Sequence, residues 1–127
     1  MKKNSEFKIP FSKIKDACLG KSYDLSLVFI DNKTSKKLNR VYRKKNKPTN
    51  ILSFPLSKTS GEIFLDLELA QKEAPIFGQT FPNFIGFLFI HGLLHLKGMA
   101  HGSRMERAEA RLRKLFKIHG SSNSNRH

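Results

Sequence analysis

The sequence predicts a single α+β domain: a small mixed β-sheet packed with several α-helices, one of them long, central and apolar. Three observations carry this. Short runs rich in Leu, Val, Ile and Phe stand between segments whose apolar residues recur at helical spacing. No repeat, low-complexity block or internal linker divides the 127 residues, a length that suits one domain with an ordinary core. Residues 84–96 are almost continuously apolar but too few to span a bilayer, so they read as a buried helix.

The elements follow in order. A short helix over 10–19 is closed by Gly20. Residues 23–30 alternate loosely and read as a strand. Residues 31–34 supply N-cap side chains for a basic helix running to about residue 45, with Leu38, Val41 and Tyr42 expected on its inner face. Residues 47–50 form a turn, and 51–54 a strand that Pro55 stops. After a polar loop at 57–60 come a strand over 61–66 and a short helix over 67–74 ended by Pro75. Thr80 and Pro82 start the long apolar helix. Ser103 and Glu106 suit a capping box for the last helix, whose expected buried stripe is Met105, Ala108, Leu112 and Leu115. Residues 1–120 thus read as one domain and 121–127 as a disordered tail.

Composition narrows the function. The single cysteine, Cys18, excludes an intramolecular disulfide framework and fits a reducing cytoplasm. The basic N-terminus has no apolar segment behind it, so it is no signal peptide, and no membrane association is expected. Twenty-four Lys and Arg against ten Asp and Glu give a net charge of +14, which favours a polyanionic partner. The excess is patterned: Lys36, Arg40, Arg43 and Lys47 follow helical spacing, as do Arg104, Arg107, Arg111 and Lys114. Two one-sided basic stripes suit the tracking of phosphates along RNA or DNA.

The most specific feature is the stretch HGLLHLKGMAH over residues 91–101. His91 and His95 lie four apart, so on a helix their imidazoles share a face one turn apart. Gly98 can end the helix in a left-handed conformation and turn His101 back toward the same point. Three imidazoles with no fourth protein ligand nearby describe a catalytic type of zinc site; nickel and copper also suit this donor set. A closed structural site wants four ligands, and Cys18 has no partner cysteine, while His119 and His127 sit in the tail. The spacing is also that of metzincin peptidases, which need Glu directly after the first His as general base. Gly92 stands there and can take no proton, which argues against a peptidase.

With these residues assembled, the chain resembles the YbeY family of single-strand-specific, metal-dependent endoribonucleases. Residues 38–55, LNRVYRKKNKPTNILSFP, are similar to the family's LNxxYRxKxKPTxVLSFP, and residues 91–101 to its HGxLHLxGxDH. Between them Gly61-Glu62-Ile63 stands where the family has Gly-Asp-Ile, and the similarity spans about residues 24–116. The resemblance implies that His91, His95 and His101 bind Zn2+ or another divalent metal such as Ni2+. It implies that Arg43 reaches the scissile phosphate as a catalytic residue, while the basic stripes read from spacing, Lys36, Arg40, Lys47, Arg104, Arg107, Arg111 and Lys114, are expected to dock the RNA backbone. It further implies action on rRNA of the small ribosomal subunit, in 3′-end maturation and ribosome quality control. The chain departs from the pattern at Ala100, where the family has Asp before the third His, and in a shorter, less acidic stretch beyond His101. Together with Gly92, Ala100 leaves a second reading open, a ribosome-assembly factor with a structural metal and little or no nuclease activity.

Overall fold

A computed structural model of the chain describes residues 8–118. In chain order the elements are α1 (Phe11–Leu19), β1 (Asp24–Ile30), α2 (Asn32–Arg43), β2 (Ile51–Ser57), β3 (Ser60–Asp66), α3 (Leu67–Glu73), α4 (Phe81–Leu96) and α5 (Ser103–Leu115). The three strands form one mixed sheet in the order β1-β3-β2. β3 pairs in parallel with β1, with Val28 opposite Phe64, and antiparallel with β2, with Ser53 opposite Ile63. The predicted α+β architecture is therefore the one observed. The tail expected at 121–127, with His119 and His127, lies outside the described residues.

α4 organises the core. Ile85, Phe89, Ile90 and Leu93 are fully buried along it, and Ile63 and Leu65 of β3 are equally inaccessible in the same cluster. α1, α3, α5, β2 and β3 all pack against this helix. Such all-round burial explains why its sequence is apolar on every side rather than along one stripe. Phe11 of α1 meets Phe89 edge-on at 4.9 Å, and Met105, Ala108 and Leu112 of α5 close the other side. No helix among the described residues is long and apolar enough to cross a membrane.

Four local expectations are corrected. Pro55 does not end β2, which continues to Ser57 with a register shift between Pro55 and Ser57. β2 lies at the sheet edge, where a residue without an N–H breaks no ladder on its free side. The inner face of α2 is Ser35 and Asn39, whereas Val41 and Tyr42 are 55% and 63% exposed. This helix docks through polar groups: Ser35 Oγ donates to Asp66 Oδ2 at 2.7 Å and Asn39 Nδ2 to the Lys47 carbonyl at 2.8 Å. The Ser103–Glu106 capping box does not form, since Gly102 is the N-cap and Ser103 is already helical. Leu115 is exposed, and Glu109 takes an unexpected place in the buried face of α5.

Two helix ends bear on the site. Thr80 starts α4 as expected, its Oγ1 accepting from the Asn83 N–H. α2 stops at Arg43 because Lys44 adopts a left-handed conformation, φ 58°, that turns the chain out of the helix.

Candidate metal centre

The last turns of α4 carry His91 and His95, and their ring centroids lie 4.5 Å apart. The helix then ends as the spacing predicts. Gly98 takes φ 100°, a left-handed conformation that glycine adopts without a Cβ clash, and its N–H returns to the His95 carbonyl. The Met99 N–H returns likewise to the Leu94 carbonyl at 3.0 Å. This reversal brings the His101 ring to 5.1 Å from His91 and 4.9 Å from His95. One nitrogen from each ring lies within 4.8 Å of the other two, so the three residues could hold a metal ion.

The partners of the other ring nitrogens fix the tautomers. His95 Nδ1 lies 3.1 Å from the Met99 carbonyl, which can only accept, so this nitrogen carries the proton. His91 Nδ1 sits 2.5 Å from Glu109 Oε2 and donates to the carboxylate. The two Nε2 atoms face one another at 3.0 Å, so the rings turn these nitrogens toward one point, and with both deprotonated they are the donor set a divalent metal requires. Burial, reinforced by the neighbouring His91 and His101 rings, holds His95 below the ordinary imidazole range and so keeps it neutral, the form that ligates.

A cleft of about 580 Å³ opens over the three imidazoles. Its far walls are Arg43, Thr49 and Asn50, and β2 from Ile51 to Phe54. Gly92 explains how β2 comes so near. A Cβ there would lie 2.7 Å from Ile51 Cδ1 and 2.8 Å from Ser53 Oγ, and Ser53 Oγ donates to the Gly92 carbonyl at 3.3 Å. The position where a metzincin keeps its Glu is thus pressed against the sheet, with no room for a carboxylate.

The residues singled out in the sequence fall into two groups. Arg43 lines the cleft with His91, His95 and His101. Lys47 lines an adjoining groove, and Arg104 a separate hollow with Lys97 and Ala100. Lys36, Arg40, Arg107, Arg111 and Lys114 are exposed on α2 and α5 but do not line the cleft. Glu109 is the site residue that sequence reasoning misses. Its signal is a lone carboxylate in the apolar stripe of α5, between Ala108 and Leu112, where a charge needs a partner.

Comparison with known proteins agrees with this geometry. A family model described as Endoribonuclease YbeY matches residues 4–118. Curated relatives include Endoribonuclease YbeY of Campylobacter jejuni, 34% identical over 75% of this chain and 77% of its own. Another is Endoribonuclease YbeY of Acholeplasma laidlawii, 36% identical over 67% of this chain; here the chain spans 65% of the relative's length. The solution structure of TM1509 from Thermotoga maritima superposes over 98% of this chain and 89% of that one with a TM-score of 0.66, at 23% identity, and so shares the fold. A match over nearly the whole described chain, with the histidine cluster and cleft in place, shows that the chain belongs to the YbeY family.

Proposed function

We propose that the protein is a metal-dependent endoribonuclease that cuts single-stranded RNA, with small-subunit rRNA, at its 3′ end, as the physiological substrate. The observation that carries this reading is the meeting of a three-imidazole donor set and a guanidinium across one cleft. His91, His95 and His101 hold the metal, with zinc the best fit to three nitrogen donors and nickel an alternative. A divalent ion there supplies Lewis acidity and lowers the pKa of water. Arg43 receives the phosphate, its planar fork binding two oxygens and offsetting the charge that grows during cleavage. Glu109 and the Met99 carbonyl hold two imidazoles in the ligating tautomer. The exposed cations of α2 and α5 supply sequence-independent attraction for the RNA backbone.

The reading places the protein in the cytoplasm, where the free, buried Cys18 is at home, and takes residues 1–120 as the catalytic unit with 121–127 as a tail. A purely structural metal fits less well, because His101 is exposed, the three histidines line an open cleft, and three protein ligands are fewer than the four of a closed structural site. Replacing Arg43 tests the assignment. Arg43→Ala should cut single-stranded RNA about 100-fold more slowly than the parent, with metal content unchanged. Cleavage by Arg43→Ala at the parental rate would remove Arg43 from the chemistry.

A further inference from the structure

Beside the metal cleft, and sharing Arg43, Thr49 and Asn50 with it as a common wall, runs a second groove of about 260 Å³. Its own lining includes Asn39, Lys45, Lys47 and Glu73. Glu73 is the only acid among the lining residues, and its Oε1 is taken by Asn50 Nδ2 at 2.8 Å. Lys45 and Lys47 are exposed, and no carboxylate among the described residues forms an ion pair with either. The cationic wall of Arg43, Lys45 and Lys47 therefore has almost no internal neutralisation.

The groove is also held in shape before any ligand arrives. The left-handed turn at Lys44 returns the Lys45 N–H to the Asn39 carbonyl, and Asn39 Nδ2 grips the Lys47 carbonyl. Two residues further on, the Thr49 N–H donates to Ser35 Oγ, which is itself tied to Asp66. Every second residue from 45 to 49 is thus pinned to α2, which reduces the ordering cost of binding.

We infer that this groove is the subsite for the phosphate of a nucleotide next to the scissile one, held by Lys45 and Lys47, with Arg43 standing between the two phosphates. The inference rests on the RNA-cleaving reading and adds to it a cause for preferring flexible single strands. A chain must bend from the cleft around Arg43 into the groove, which a stacked duplex resists.

The test is the binding of short 2′-O-methyl RNA oligonucleotides, each with one phosphate replaced by a neutral methylphosphonate, to the metal-loaded full chain. Fluorescence anisotropy gives the affinity, and a gel of the same samples confirms that the oligonucleotide is intact. For the parent, neutralising one linkage beside the phosphate in the cleft should weaken binding about fivefold, the size of a partly exposed ion pair. The Lys45→Gln/Lys47→Gln protein should bind the unmodified strand weaker by the same factor and ignore that one replacement. Both lysines are exposed, so the variant should keep the parental Tm. Equal weakening of parent and variant at every linkage would overturn the groove while leaving RNA binding intact. Absence of RNA binding by the parent would overturn the groove together with the reading beneath it.

Discussion

The carboxylate of Glu109 decides which nitrogen of His91 is free, and so whether that imidazole can ligate at all. It lies 2.5 Å from Nδ1 and is almost fully buried on α5. Glu109→Gln keeps the shape but removes the charge that makes the imidazole a stronger donor. It should weaken zinc binding about tenfold in a calorimetric titration, with little change in the Tm of the metal-free protein. Gly92 acts by having no side chain. Gly92→Glu would restore the metzincin residue, yet it would drive a carboxylate among Ile51, Ser53 and Ile63. A loss of about 3 kcal/mol or more in urea unfolding is expected, with no peptidase activity gained. The three ligands are legible in the sequence because their spacing is a property of the helix and of one glycine. Glu109 is not, because it comes from a separate element eighteen residues away, and only packing places it beside His91.

At the scale of elements, α2 departs furthest from what pattern alone suggests. Its apolar residues predict the inner face, but Val41 and Tyr42 point outward while Ser35 and Asn39 are buried. Hydrophobic periodicity cannot see a helix that docks by hydrogen bonds, and here the docking surface is the buried carboxylate of Asp66 and the loop at 47–50. Pro55 misleads for a related reason: an edge strand tolerates what a central strand rejects, and strand order is not written locally. The cap of α2, by contrast, is visible. Asp31 Oδ1 accepts from the Thr34 N–H at 2.8 Å, and that bond holds the Asp31 carboxyl below its ordinary value. Because the folded-state pKa is the lower one, the ionised cap stabilises the fold above the unfolded-state pKa and stops doing so as pH falls through the folded one. Asp31→Ala should therefore lower Tm at neutral pH, and the gap between variant and parent should narrow as thermal melts are taken into that acid range.

For the whole molecule, the sheet and α4 act as a frame whose purpose is to bring two distant stretches of chain together. Residues 38–55 deliver Arg43 and the β2 wall, residues 91–101 deliver the imidazoles, and the packing of α4 on the sheet closes the distance. The strong positive charge does not line the cleft densely: Arg43 is the one Lys or Arg among its lining residues, and the cations of α5 lie outside it. That division suits a molecule that attracts RNA over a broad surface and performs chemistry at one point. The fold class is readable because alternating strand and helix signals survive in a single sequence. The cleft itself is not, because it exists only between elements. The proposed ribonuclease activity depends on a metal held by the three imidazoles. The most direct measurement is cleavage of a labelled single-stranded RNA by the zinc-loaded protein beside His95→Ala purified identically, with metal content read on both. Cleavage and bound metal are expected for the parent, and loss of both in a variant whose circular dichroism shows it folded. Equal cleavage by the two proteins, or none by a metal-loaded parent, would contradict the proposal.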